Sequence, residues 1–198
     1  MKHEKMHKWI AVTLSAIVML GLFAGCGGEK EPAHVEGSAG LEYSLSEDGT
    51  YYVFVNRGAC TDTDVVIGNW YNGKPVKEVA SQASNIEYSQ GAWEVNSITV
   101  SEGITAFSFG SLWGTEATKI ILPENVEELP QAMMLGNGNL KEVVIGKGLK
   151  SVGPDVFENM TLDTIYFRGS EAEWNEIEIN PVGNDPFSEA KIVFNYKD

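Results

Sequence analysis

One pattern of apolar residues recurs along this chain at intervals of 22 or 23 residues. Its first column is Ile98, Ile120, Val143 and Ile165, at successive spacings of 22, 23 and 22. Four more columns keep the same step, and they are Ile104, Val126 and Leu149; Phe107, Leu129 and Val152; Leu112, Met134 and Phe157; and Ala117, Leu140 and Leu162. A repeat of this length is typical of solenoid proteins, in which each unit buries its apolar face only by stacking on its neighbours.

Each repeat unit begins with a short run that has strand character. The successive runs read SITV, KIIL, EVVI, TIYF and KIVF, and each is followed by a turn, a second apolar pair and a compact segment. Side chains alternate between the two faces of a strand, so the first and third apolar positions of each run are predicted to point inward. The sequence therefore predicts a β-rich α/β fold, a short solenoid with a parallel β ladder.

The two ends of the repeat array depart from the period, as capping units do. The stretch LEYSLSEDGTYYVFV has two alternating runs around Asp48-Gly49 and predicts an N-terminal β-hairpin cap. The stretch DVVIGNWYNGKPVKEV follows as a first coil with extra residues at 70–73, and NIEYSQGAW is predicted to be an insertion. The step from Ile165 to Ile192 lengthens to 27, which predicts a variant C-terminal cap with a short helix near SEAEWNEI.

The first 25 residues have the organisation of a secretion signal. Three lysines precede an apolar run of 14 residues, which is too short to span a bilayer of about 30 Å, and small residues lead to Cys26. The ending LFAGC resembles the lipobox of bacterial lipoproteins, although Phe23 stands where leucine is commoner. We expect residues 1–25 to be a lipoprotein signal peptide, Cys26 to be lipidated, residues 26–40 to form a flexible tether, and residues 41–198 to form the repeat domain. Ordinary secretion is the alternative.

Composition excludes several classes of function. The net charge is −14, and removing the +2 of residues 1–25 leaves −16, which disfavours binding to nucleic acid or to anionic lipid headgroups. The predicted repeat domain contains no histidine, which argues against serine–histidine and cysteine–histidine catalysis and against common zinc sites. Cys60 has no lysine or histidine near it in sequence, and we interpret it as a small buried hydrophobic residue. We expect no cofactor.

Two stretches carry a resemblance to a known family. They are LEYSLSEDGTYY…GACTDTDVVI…YNGKPVKEVA and SVGPDVFENMTLDTIYFRGSEAEWNEI. Over residues 41–198 the chain resembles the BspA-like leucine-rich-repeat family of bacterial surface proteins. The resemblance implies a leucine-rich-repeat solenoid, surface display, binding to proteins or matrix, and no catalytic residues. The phenylalanine of the family's "AF" step is present at Phe157 but is replaced at Met134 and Leu112, and Asn159 stands where the family often has cysteine.

Two groups of residues are candidates for contact with a partner. The outward positions of the strand runs form an apolar stripe, which either marks an interaction surface or only stabilises the sheet. Trp70 and Tyr71 lie in the insertion of the first coil, where aromatic residues either anchor a partner or fold back over the edge of the core. The stripe consists of Thr99, Ile121, Val144, Tyr166 and Val193.

Acidic residues offer two further hypotheses. The stretches TDTD (Asp62, Asp64) and NPVGNDPFSE (Asn184, Asp185, Glu189) supply oxygen atoms that calcium prefers, but neither has a known loop spacing, so Asx turns are the simpler interpretation and we predict no metal site. A hydrolase would need two carboxylates at a defined separation, which sequence does not establish.

The sequence thus predicts a lipid-anchored, non-catalytic protein of the extracytoplasmic membrane face that binds a protein or a glycan. A structural accessory of the cell envelope is the first alternative, and a carboxylate-dependent hydrolase is the second.

Overall fold

The computed structural model describes residues 31–81 and 95–197 of the chain. Short strands dominate, and the two helices are a single turn or little more. In chain order the elements are β1 (Glu42–Leu45), β2 (Tyr52–Asn56), β3 (Asp64–Ile67), β4 (Trp70–Tyr71), β5 (Lys74–Val79), β6 (Ser97–Val100), β7 (Ala106–Phe107), β8 (Lys119–Ile121), β9 (Glu128–Leu129), β10 (Glu142–Ile145), β11 (Ser151–Val152), β12 (Thr164–Phe167), α1 (Glu171–Trp174), β13 (Glu178–Ile179), α2 (Asp185–Glu189) and β14 (Lys191–Val193).

A six-stranded parallel sheet runs the length of the described domain in the order β14-β12-β10-β8-β6-β3. Its register places the predicted first column in one line, since Ile98 pairs with Ile120, Ile120 with Val143, and Val143 with Ile165. These four side chains have no exposed surface. The predicted solenoid, its parallel ladder and the alternation of inward and outward positions are therefore confirmed.

A second ladder forms where each coil turns back, and it is divided in two. Strands β9, β11 and β13 make one parallel sheet, whereas β7 pairs with β5 in another, and no pairing between β7 and β9 occurs in the described residues. The amides of Ser108 and Gly153 each donate to the preceding rung, with lengths of 3.1 Å and 2.8 Å. The equivalent residue after β9 is Pro130, which has no N–H to donate. A cleft of about 550 Å³ occupies the break.

The predicted N-terminal hairpin is present. Strands β1 and β2 pair antiparallel around the turn at Asp48-Gly49, and β2 continues the second ladder by pairing with β5. The insertion of the first coil forms a second small hairpin, in which Trp70 pairs with Pro75. The other predicted insertion, NIEYSQGAW, lies outside the described residues.

The C-terminal cap contains the predicted short helix, α1, and a second one, α2, that the sequence did not indicate. Ser170 and Glu173 form a capping box at α1, in which each side chain accepts a hydrogen bond from the other's backbone amide. Phe187 of α2 is fully buried and stacks on Phe157 and on Trp174, with ring centroids 4.7 Å and 5.0 Å apart. These aromatic rings close the last coil of the solenoid.

The start of the chain differs from the predicted tether. Residues 1–30, with Cys26 and the predicted signal, lie outside the described part. Residues 31–38, which we call the strap, run along the outer edge of β3, and their Glu36 forms a parallel bridge with Trp70. From residue 31 onward the predicted tether is thus part of the folded body. Within the residues described, no helix has the length and apolar character needed to cross a membrane.

Candidate functional site

The outward surface of the six-stranded sheet, which we call the sheet face, contains the predicted stripe. The strand register brings Thr99, Ile121, Val144, Tyr166 and Val193 side by side, one on each successive strand, at steps of about 4.8 Å. Four of the five are half-buried. Val144 is the exception, since none of its surface is exposed.

The burial of Val144 has a cause in its neighbours on the sheet. Tyr166 stands on β12, yet its hydroxyl donates to Glu142 on β10 over 3.4 Å, and its ring centroid lies 5.3 Å from the Lys119 ammonium on β8. The tyrosine therefore leans across β10, the strand that carries Val144. The expected stripe is interrupted here, and Val144 supports the surface from below without offering a contact of its own.

Lys119, Glu142 and Tyr166 form one polar and aromatic group on this face. Lys119 Nζ lies 3.1 Å from Glu142 Oε2, and both side chains are about one-third exposed. Partial burial lowers the pKa of the Lys119 ammonium, but the hydrogen bond and charge of Glu142 outweigh it and raise the pKa above its ordinary value. Lys119 stays protonated at neutral pH and holds a positive charge beneath the tyrosine ring.

Tyr196 enlarges the aromatic part of the sheet face, and the sequence did not indicate it. Its ring lies 4.6 Å from that of Tyr166, centroid to centroid, with the planes tilted by 44°. The residue follows the last strand, where no repeat position exists to compare it with. Its placement depends on a backbone hydrogen bond of 3.1 Å from its amide to the Phe167 carbonyl.

A polar border runs along the side of the sheet face where the strands end. Arg168 Nη1 donates to the carbonyl of Leu122, two strands away, over 3.0 Å, and its Nε lies 3.9 Å from Glu124 Oε2. This reach crosses Gly146, where a Cβ would lie only 2.2 Å from the Glu124 carbonyl oxygen. The glycine lets the loops after the strands pack closely, and the arginine side chain links the loop after β12 to the loop after β8.

Trp70 and Tyr71 lie apart from the sheet face, in the small hairpin of β4 and β5. Trp70 stacks on His34 of the strap, with ring centroids 3.6 Å apart and planes within 10°. Tyr71 stacks on Tyr43 at 4.4 Å and meets the edge of Tyr52 at 5.0 Å. Both aromatic residues already have partners within the chain. The histidine that we assigned to the tether is thus part of the folded body.

Two residues of the candidate calcium stretches, Asp64 and Asn184, make hydrogen bonds within the fold. Asp64 accepts a hydrogen bond of 2.8 Å from Ser97 on the next strand. Asn184 is 1% exposed, accepts from the Phe157 amide and donates to the carbonyls of Gly153 and Asn180. In the part of the chain that the structure describes, no group of three or more His, Cys, Asp or Glu residues is arranged to hold a metal ion.

Cys60 is buried in the core, as predicted, with 5% of its surface exposed and a free thiol. It packs among the apolar side chains at the N-terminal end of the solenoid.

Comparison with known proteins agrees with this architecture. Residues 82–178 match the model of the BspA type leucine rich repeat region, in six copies. The fold is a solenoid of parallel β ladders like that of leucine-rich-repeat proteins, and the matched stretch, slightly less than half of the chain, is similar to repeats of the BspA type. A search of curated proteins finds no match to the chain.

Two solved structures resemble the chain. A leucine-rich repeat protein from Bacteroides ovatus aligns over 78% of this chain and 42% of its own length, with 15% identity and a TM-score of 0.50. The T. pallidum leucine rich repeat protein aligns over 78% of this chain and 83% of its own, with 15% identity and a TM-score of 0.41. The present chain thus spans less than half of the Bacteroides ovatus protein, and the likeness to that protein concerns the fold alone.

Proposed function

We propose that this chain is a lipid-anchored, non-catalytic leucine-rich-repeat protein of the bacterial cell surface that binds a partner protein through the sheet face. The observation that carries the proposal is the half-exposed row of Thr99, Ile121, Tyr166 and Val193 on β6, β8, β12 and β14, four of the five strands that carry the predicted stripe. A rigid sheet that presents apolar and aromatic side chains at fixed steps suits protein recognition, since little conformational entropy is lost on binding.

The chemistry of the sheet face favours a protein over a nucleic acid or a lipid. Tyr166 and Tyr196 supply an aromatic centre, and Lys119 paired with Glu142 supplies a polar margin of both signs. Aromatic residues within a polar rim are the usual composition of protein interfaces. The insertion of the first coil is the weaker candidate, because His34 covers one face of Trp70 and Tyr71 packs among other tyrosines.

The anchor belongs to the same proposal and depends on Cys26. Acyl chains on a cysteine hold a protein at a bilayer, because each buried methylene contributes about 0.8 kcal/mol. Residues 27–30 separate Cys26 from the first residue of the strap. An extended chain of that length reaches roughly 17 Å, so the anchor would keep the domain close to the bilayer.

Membrane fractionation tests the anchor separately from the binding surface. Cells that express the full chain or Cys26→Ser are labelled with an alkyne fatty acid and separated into membrane and soluble fractions. We expect the label and the membrane association in the unchanged protein and neither in the variant. Membrane retention of Cys26→Ser without label would refute lipid anchoring and leave the sheet-face proposal intact.

A binding assay tests the sheet face with the full chain, solubilised in mild detergent. The chain is immobilised and exposed to purified cell-surface and matrix proteins, and in a separate assay it is applied to a glycan array. Tyr166→Asp places a second carboxylate beside Glu142 and removes the aromatic centre of the face. Phe109→Asp is the matched control, since Phe109 is an exposed aromatic residue, 44% accessible, that lies outside the sheet.

We expect a saturable protein interaction that Tyr166→Asp weakens at least tenfold and that Phe109→Asp preserves. Both variants are first compared with the unchanged protein by circular dichroism to establish that they fold. Equal binding by all three proteins would refute the sheet face as the site, and a glycan that binds in place of any protein would refute the proposed class of partner.

A further inference from the structure

The strap is held on β3 mainly through backbone groups. The amide of Trp70 donates to the Val35 carbonyl over 3.1 Å, and the amide of Ser38 donates to the Val66 carbonyl over 2.8 Å. The Val66 amide in turn donates to the Ser38 hydroxyl over 3.1 Å. The first two join backbone groups at the edge of the sheet, and the partners run in opposite order along the two segments, with Val35 beside Trp70 and Ser38 beside Val66.

The side chain of Asn69 makes hydrogen bonds with the backbone of the strap. The residue is 5% exposed, and its Oδ1 accepts from the Val35 amide over 2.8 Å. Its Nδ2 donates to the Ala33 carbonyl over 3.0 Å and to the Glu102 carbonyl over 2.6 Å. The bond to Glu102 fixes the side chain from within the solenoid, so the other two groups are oriented toward whichever backbone lies on the edge.

Two side-chain positions give this edge its selectivity. The His34 ring lies flat on Trp70. Three residues later, Gly37 passes so close to Gly68 that a Cβ on Gly68 would lie 2.2 Å from the Gly37 nitrogen. A Cβ on Gly37 itself would lie 2.3 Å from the Tyr43 hydroxyl and 3.1 Å from the Gly68 nitrogen. The edge therefore accepts a flat ring followed, three positions on, by glycine.

The strap is attached loosely compared with the coils beneath it. Residues 31–36 are exposed, and Val35 in their middle has 38% of its surface accessible. The strap joins the hairpin cap through Ala39 and Gly40, and Gly40 has a φ of 87° that suits glycine at a hinge. The strap contributes no residue to the buried core, so it can leave the edge without opening the solenoid.

We propose that the outer edge of β3, with Asn69, Trp70 and Gly68, is a peptide-binding site that the strap occupies in this structure. Its ligand is an extended peptide segment of the strap's own pattern, a flat ring three positions before a glycine-serine pair, bound along this edge through its backbone. Such binding gains affinity from the backbone and specificity from the side-chain positions. The site is distinct from the sheet face and does not depend on lipidation.

Two glycine substitutions separate release of the strap from blockage of the proposed site. In Gly37→Val the strap no longer fits against Tyr43 and Gly68, whereas the edge of β3 keeps every group that it offers. In the double variant Gly37→Val with Gly68→Val, the added side chain at position 68, directly after β3, blocks the approach of any backbone. The probe is a fluorescein-labelled peptide of the sequence EPAHVEGSAG, residues 31–40, followed by fluorescence anisotropy with the full-chain proteins.

We expect Gly37→Val to bind the peptide saturably and the double variant to show no binding. If the strap is closed in about 99% of unchanged molecules, their apparent affinity for the peptide is weaker by about 100-fold. A peptide with valine in place of its glycine should not bind to Gly37→Val. Faster hydrogen exchange at the Trp70 amide, with unchanged exchange at β10, shows that the strap is released and the solenoid folded.

Val35→Pro is a second way to release the strap, because proline has no amide proton to donate to Asn69 Oδ1. The proposal is overturned if neither released variant binds the peptide while its core exchange matches that of the unchanged protein. It is also overturned if the double variant binds as well as Gly37→Val, or if the valine-containing peptide binds as well as the original one.

Discussion

Replacement of Asn137 by leucine should be among the most destabilising single changes in the solenoid. Asn137 has no exposed surface, and its Oδ1 accepts from the amide and hydroxyl of Thr115 in the preceding coil, over 2.6 Å and 3.1 Å. Its Nδ2 donates to the Leu112 carbonyl over 2.8 Å. Leucine fills a similar volume but removes the partner of three buried groups, the Thr115 amide, the Thr115 hydroxyl and the Leu112 carbonyl.

The expected loss is worked out from the two backbone groups among these, the Thr115 amide and the Leu112 carbonyl. Each buried polar group left without a partner costs about 1–3 kcal/mol, and the gain from the added apolar surface offsets roughly 1 kcal/mol. We therefore expect the free energy of unfolding to fall by about 3 kcal/mol. At roughly 2–4 °C per kcal/mol for a domain of this size, the Tm should fall by about 6–12 °C.

Urea denaturation followed by tryptophan fluorescence and circular dichroism measures this loss. Asn139→Leu is the matched control, because Asn139 is exposed and its amide donates only to the Glu116 carboxylate, over 2.7 Å. We expect the control to change the free energy of unfolding by no more than about 0.5 kcal/mol. Equal losses in the two variants would refute the claim that Asn137 links two coils through buried hydrogen bonds.

Three further predictions follow from individual positions. Ile120→Ala, on the inward side of β8, should lower the free energy of unfolding by about 2–5 kcal/mol, whereas the outward Ile121→Ala should cost clearly less in the same denaturation assay. Burial raises the pKa of Tyr43 from 10.0 to about 12, although the Gly68 backbone lowers it in part. The contribution of Tyr43 to the free energy of unfolding is therefore present below pH 10 and is lost as the pH rises to about 12. Tyr43→Phe should remove that part of the loss of stability at alkaline pH, measured as Tm against pH. Hydrogen bonds from the backbone and hydroxyl of Ser170 lower the pKa of Glu173, and Ser170→Ala should raise that pKa toward its ordinary value in a carboxylate NMR titration.

The repeat ladder could be predicted from the sequence because its signal is periodic and its cause is burial. Ile98, Ile120, Val143 and Ile165 recur at one spacing, and each packs on its equivalent in the next coil. Because every coil must bury an apolar side chain at this position, every repeat has an apolar residue there. The same reasoning located the outward row of the sheet face and the longer last coil.

The exposure of that outward row could not be predicted from the same pattern. Val144 is outward by alternation, yet Tyr166 leans across its strand toward Lys119 and Glu142. Which way a long side chain leans depends on partners two strands away, and a single repeat position carries no trace of them. Tyr196 was missed for a related reason, since it lies after the last repeat.

The strap was interpreted as a tether because its composition is that of a linker. Its contacts with β3 are made by backbone atoms, which any sequence has, and by small residues such as Gly37 that are also common in flexible segments. The folded position of the strap depends in part on the stacking of His34 on Trp70. These two rings are far apart in sequence, and only a prediction of that contact could have placed the strap on the domain. The divided second ladder was readable in principle from Pro130, which stands where the equivalent residues Ser108 and Gly153 donate an amide.

Cross-linking of paired cysteines tests the stacking of the coils most directly. Lys119 and Glu142 are register partners on adjacent strands, whereas Ser97 and Glu142 are two strands apart. Neighbouring strands lie about 4.8 Å apart and a disulfide needs Cα atoms within about 7 Å. The account predicts that Lys119→Cys with Glu142→Cys forms a disulfide under mild oxidation and that Ser97→Cys with Glu142→Cys does not. Cross-linking of the second pair without the first would contradict the one-above-another arrangement of the repeats.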